Sequence, residues 1–161
     1  MTLNAFERTF WKSLKEWKDE TGGFVHRFND SGYWVGRKRM SVPQPADFML
    51  IHNGTPLMLE LKSSRHEPSF PIGNIREHQL DSLIDFKCAG GIAGFLIART
   101  SKTRGQTAYY VDVGDYQRNI LTSPKKSTVK WDIIEANATS SLTRGAGRWP
   151  IEELVLDAIC R

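Results

Sequence analysis

The chain reads as an α/β protein, with a mixed central β-sheet flanked by helices. Three observations predict this: an amphipathic helical pattern near the start, a β-hairpin centred on Asn53-Gly54, and a second helical pattern followed by a continuous apolar run of strand length. Leu3, Phe6, Phe10, Leu14 and Trp17 recur at helical spacing until Gly22-Gly23 ends the pattern. Residues 24–28 and 33–37 read as two short strands around a turn at Asn29-Asp30-Ser31-Gly32, and the basic run Arg37-Lys38-Arg39 follows. Segments 46–52 and 55–62 flank Asn53-Gly54, the preferred residue pair for a two-residue type I′ turn. Asn74 then precedes a helical pattern of Ile75, Gln79, Leu83 and Phe86, with Glu77 placed to cap it. Residues 91–98 form the apolar run, and 108–113 read as a further strand. Beyond Tyr116 the pattern weakens into a basic Ser-Pro-Lys-Lys-Ser loop, a Gly-rich segment from Arg144 to Arg148 and a short helix after Pro150.

A length of 161 residues, 40% of them hydrophobic, predicts one compact domain over residues 1–161. The formal charge of +4 favours an anionic partner such as nucleic acid. Cys88 and Cys160 stand far apart, without the spacing of a zinc site or a disulfide framework. Acid and base occur too early in the chain for a signal peptide, and no run reaches the apolar length of a membrane span, so a soluble cytoplasmic protein is expected.

The chemistry concentrates on the central hairpin. With Asn53 and Gly54 as the loop residues, His52 faces Thr55 and Asp47 faces Glu60. Directly opposed Cβ atoms are about 5 Å apart, so the two carboxylates project from one face within reach of a shared cation. Alternation puts Lys62 on the face of Glu60, while Phe48, Leu50, Leu57, Leu59 and Leu61 take the buried face. Two carboxylates at this separation suit a hard ion such as Mg²⁺, which keeps waters and accepts a phosphate oxygen. The reaction implied is phosphodiester hydrolysis, with Lys62 orienting the attacking water or stabilising charge. Read blandly, the same three residues are a solvated charged ladder.

Glu7 sits inside the apolar stripe of the first helix, and Gln79 between Ile75 and Leu83 on the inward face of the second. A glutamate there is costly to bury unless paired or near a metal, and the amide could bind substrate or hold a water. Exposure at the edge of each face is the alternative.

The segments Leu59-Glu-Leu-Lys-Ser-Ser-Arg65, Ser69-Phe-Pro-Ile-Gly-Asn74, Glu77-His-Gln79 and Gly90-Gly-Ile-Ala93, in this order, resemble the RecU-like Holliday junction resolvases of the PD-(D/E)XK nuclease superfamily. The resemblance is good from about Pro45 to Val113 and extends weakly to Asn4-Ala-Phe-Glu7. It implies a restriction-endonuclease-like fold with an αβββαβ core, and a symmetric dimer that nicks opposing strands of a four-way junction using Mg²⁺ or Mn²⁺. Carried over by position, Asp47, Glu60 and the Leu61 carbonyl would hold metal, Lys62 would act near the attacking water, and Glu7 and Gln79 would support them. Ser63, Arg65 and His78 would contact DNA. A projecting stalk at about residues 29–43 would carry Arg37, Lys38 and Arg39 into the junction centre; the plain alternative is a basic hairpin edge that discourages strand pairing. The chain is short for a bacterial family member, and Pro45-Ala46 stands where hydroxyl-bearing residues usually precede the aspartate.

Further basic residues gather at Lys102 and Arg104, at Lys125 and Lys126, and at Arg144 and Arg148. Tyr33 and Trp34 could stack on unpaired bases, although burial is the favoured expectation for Trp34. Two rival readings are a duplex-cutting restriction or repair endonuclease on the same fold and a catalytically silent DNA-binding module.

Overall fold

A computed structural model of the chain describes residues 4–29, 32–101, 105–121 and 127–159. Helix α1 (Ala5–Thr21) starts at Asn4, whose side chain caps the Glu7 N–H, and ends at Gly22 in the left-handed conformation, φ 71°. Strand β1 (Phe24–Arg27), the hairpin strands β2 (Gly32–Val35) and β3 (Lys38–Ser41), and the central hairpin β4 (Phe48–His52) and β5 (Thr55–Ser64) follow. Next come β6 (Ser69–Pro71), α2 (Glu77–Cys88), β7 (Ile92–Ser101) and β8 (Gly105–Asp112). The chain continues with a short helical turn α3 (Val113–Asp115), β9 (Thr128–Lys130), α4 (Trp131–Ala136), β10 (Ser140–Thr143) and α5 (Ile151–Ile159).

Six strands form the main sheet in the order β1-β4-β5-β7-β8-β10. Only the β5–β7 pairing within it is parallel, which makes it a mixed sheet. The parallel step needs a crossover, and α2 lies along the connection that supplies it. Core residues of α1 and α5, among them Phe10, Leu14 and Leu154, share one cluster with Phe48, Leu50, Leu57 and Leu59. On the opposite face Leu83 of α2 clusters with Met58, Phe95, Ile97 and Trp131. Burial on both faces of β7 explains the unbroken apolar run read over residues 91–98.

The central turn has the predicted geometry: Asn53 and Gly54 both take positive φ, 48° and 80°. Their register pairs His52 with Thr55 and Phe48 with Leu59.

Four expectations are corrected. Residues 24–28 and 33–37 do not pair with each other; β1 pairs with β4, and β2 turns at Gly36, φ 60°, to pair with β3. A glycine in the left-handed region makes that turn easy, and the apolar side chain of Val25 draws β1 onto the core. Helix α2 starts at Glu77, with Arg76 as its N-cap residue. Asn74 is taken up in a 3₁₀ turn over Ile72–Asn74, and Ile75 is extended. Trp34 is 69% exposed, because its hairpin forms its own two-stranded sheet, joined by no other strand among the described residues. The region after Tyr116 contributes β10 to the main sheet, and β9 pairs with β6. Leu3, Asp30, Ser31, Lys102, Arg104, Lys125, Lys126 and Cys160 lie outside the described residues, as does the side chain of Arg39. No described helix is long and apolar enough to cross a membrane.

Leu59 has no exposed surface and pairs with Phe48 one step before the acids. Leu59→Ala is expected to cost about 2–5 kcal/mol in urea unfolding, because the packed cluster cannot collapse onto the lost volume. A loss below about 1 kcal/mol would show that the site does not rest on this packing.

Candidate active site

The ladder of β4 and β5 ends at Phe48 and Leu59, and Asp47 lies just beyond it. Its N–H donates to the Leu59 carbonyl at 3.1 Å, and its own carbonyl accepts the Phe28 N–H at 3.0 Å. Backbone bonds on both sides thus fix where its side chain begins. Asp47 Oδ2 accepts the Leu61 N–H at 2.7 Å, in place of a further backbone rung. An extended residue points its N–H and C=O to the same side, so the Leu61 carbonyl also faces the β4 edge.

Glu60 is 2% exposed, the most buried acid among the described residues. Its Oε1 accepts from Lys62 Nζ at 2.8 Å and from Gln79 Nε2. Gln79 Oε1 in turn accepts from Lys62 Nζ at 2.9 Å and from the Arg76 N–H at 3.1 Å. The third residue of α2 therefore caps its own helix and fastens that helix to the acid and lysine of β5. Asp47, Glu60, Lys62 and Gln79 come together as one cluster.

Glu7 is half-buried, and its carboxylate accepts from the Asn4 N–H at 3.2 Å and from the Asn4 side chain, closing a capping box. Its charge nonetheless reaches the cluster, adding to the upward push on both Asp47 and Glu60. His78 is half-buried and lines the cleft together with Asp47, Glu60 and Gln79. Ser63, near the end of β5, is half-buried and Arg65, just past that end, is exposed; both line a separate hollow with Asn4. Arg37 lies in the turn between β2 and β3 and Lys38 opens β3, so both stand on the hairpin, and neither is among the residues lining the cleft. Arg148 pairs with Glu20 at 2.6 Å and Glu16 at 3.4 Å, so its charge is largely spent within the chain. Arg76, in the cleft wall, was missed by sequence reasoning. The one signal for it is a basic residue directly before Glu77-His-Gln79.

Burial, reinforced by the Glu60 charge, raises the Asp47 carboxyl to about 7, against the pull of the Leu61 N–H. Burial likewise raises Glu60, against the Lys62 ammonium and its hydrogen bond. Two acids that resist ionising side by side call for another cation. Glu60 Oε2 is buried without a hydrogen-bond partner among the described residues. An orphaned carboxylate oxygen, a neighbouring carboxylate and a backbone carbonyl on the same edge are hard oxygen donors that fit a divalent ion such as Mg²⁺. Among the described residues no three His, Cys, Asp or Glu side chains converge as a cage. A hydrated ion held by two carboxylates is the arrangement this set can support.

The family described as Recombination protein U matches residues 36–147 of the chain. No curated protein matches it. Among solved structures, that of Archaeoglobus fulgidus Hjc, a Holliday junction resolvase from an archaeal hyperthermophile, is similar with a TM-score of 0.51 and 14% identity. The match covers 81% of this chain and 93% of that one. At that identity the likeness is one of fold, and with the mixed six-stranded sheet it makes this a restriction-endonuclease-like α/β fold.

The raised Asp47 gives a pH signature. Its protonated form is favoured in the folded chain, so metal-free stability falls as pH rises from about 4 towards about 7, the interval between its ordinary and raised values. Melting temperatures in EDTA should fall over this interval in the wild type, and less in Asp47→Asn. Mg²⁺ should restore more stability at pH 7.5 than at pH 5, because only the ionised pair gains from it. An equal Mg²⁺ effect at both pH values would count against the acids as its site.

Proposed function

Because the chain belongs to the Recombination protein U family, we propose that it is a metal-dependent endonuclease that resolves four-way DNA junctions by phosphodiester hydrolysis. The observation that carries the reading is the joining of Asp47, Glu60, Lys62 and Gln79 at the end of the central hairpin, inside the matched segment. Asp47, Glu60 and the Leu61 carbonyl would hold Mg²⁺, with Mn²⁺ as a substitute. When bound, the ion supplies Lewis-acid polarisation of the phosphate and a lowered pKa for the attacking water.

The chain's own residues do the rest. Glu60 and Gln79 hold the Lys62 ammonium over the acid pair, where it donates to the attacking water and offsets charge on the pentavalent phosphorus. Gln79 fixes Glu60 and Lys62 together, so their spacing survives the arrival of substrate. Glu7 raises the demand for a cation by adding negative charge nearby.

The β2–β3 hairpin would act as the stalk of a single nuclease domain. Tyr33 is 56% exposed and Trp34 69%, large apolar surfaces to leave in water, and Arg37 and Lys38 follow at the turn. Aromatic faces beside cations suit unpaired bases at a junction centre. Two such chains, paired as a homodimer in the cytoplasm, would nick opposing strands symmetrically.

Incubation with a synthetic four-way junction and a linear duplex of the same sequence, in Mg²⁺ or EDTA, tests this. Paired symmetric nicks confined to the junction, abolished by EDTA and lowered at least 100-fold by Lys62→Ala, are the expected result. Equal cutting of the duplex would remove junction selectivity, and tight binding without cutting under Mg²⁺ or Mn²⁺ would make the chain a silent DNA-binding module.

A further inference from the structure

Arg76 stands in the wall of the catalytic cleft, with Asp47, Glu60 and Gln79 among the other lining residues. Its backbone is fixed at both its N–H and its carbonyl. The N–H donates to Gln79 Oε1 at 3.1 Å, and its carbonyl accepts the N–H groups of Gln79 and Leu80 at 3.0 and 3.2 Å. The amide that anchors it is the one that holds Lys62 and Glu60. Arg76 is therefore built into the frame of the acid–lysine cluster.

Its head is left over. Arg76 is exposed and has no salt-bridge partner among the described residues, in contrast to Arg99, Arg118 and Arg148, each of which holds a carboxylate. It does not pair with Asp47 or Glu60, although both line the same cleft. A guanidinium is a planar fork of donors that matches a phosphate bidentately and cannot lose its charge at neutral pH. The two acids repel a polyanion, so a strand entering this cleft needs a fixed cation among the lining residues. The positive end of α2 lies at the same wall, since Arg76 is its N-cap residue.

We propose that Arg76 binds a non-bridging oxygen of the DNA backbone phosphate next to the scissile one, and so sets where the strand crosses the acid pair. This rests on the nuclease reading above and adds to it the residue that grips the substrate strand within the cleft. Arg76 makes no bond to the metal donors and is not needed to form them, so its loss should act on substrate binding.

The test is binding of a synthetic four-way junction in EDTA over a salt series, for wild type, Arg76→Ala and Arg76→Lys. One lost phosphate contact should lower the slope of log K against log salt by about 0.9, and lysine should restore most of it. Arg76→Gln serves in place of the alanine variant if that one melts early. Single-turnover cleavage in Mg²⁺ should show the loss chiefly as weaker half-saturation, with the rate at saturating protein falling less. If wild type binds and cuts while Arg76→Ala keeps the wild-type slope, Arg76 is a solvated surface residue and this proposal alone fails. If wild type neither binds nor cuts, the nuclease reading fails and this proposal with it.

Discussion

The hydrogen bond from the Leu61 N–H to Asp47 Oδ2 is the contact on which the site depends. Where the β4–β5 ladder runs out, a side chain replaces the missing backbone acceptor, and that substitution places one carboxylate beside another. The arrangement has an electrostatic cost, because burial raises both acids and the Glu60 charge raises Asp47 further. The Leu59 and Phe48 packing beneath, the Phe28 and Leu59 backbone bonds to Asp47, and the Lys62–Gln79 clasp on Glu60 hold against it. Under the proposed function, the pair kept close at such cost would take a cation, and that cation would support phosphodiester chemistry.

The central hairpin was legible because a two-residue turn leaves no freedom in register: once Asn53 and Gly54 are the loop, Phe48 must pair with Leu59, and Asp47 follows at the end of the ladder, where its N–H bonds the Leu59 carbonyl. Helix α1 was legible for a similar reason, since a stripe of large apolar residues at helical spacing has one economical packing. The β2–β3 hairpin was not. Periodicity shows that residues 33–35 favour a strand, but not whether that strand has a sheet to join, and Trp34 in water is the outcome that composition argues against. Strand β10 was hidden because four residues, alternately buried and exposed, carry too short a pattern to read.

Gln79 and Glu7 illustrate a further limit. Sequence pattern marked both as polar residues on inward faces, and both are also cap residues, Gln79 for α2 and Glu7 for α1. A cap at the third helical position and a partner for buried charge need the same chemistry, an oxygen held near a helix N-terminus. Arg76 went unread because the role proposed for it depends on what it does not touch: a guanidinium without a salt bridge among the described residues, in a cleft where Glu60 is already held by Lys62, becomes visible only when the ion pairs of its neighbours are known.

The central claim is that Asp47 and Glu60 together form a divalent-cation site. The most direct measurement is a Mn²⁺ titration of the DNA-free protein at pH 8, following free Mn²⁺ by electron paramagnetic resonance, for wild type, Asp47→Asn and Glu60→Gln. Saturable binding to wild type that is weakened at least tenfold in each variant is the predicted result. Unchanged binding in both variants would place the ion elsewhere and contradict the account.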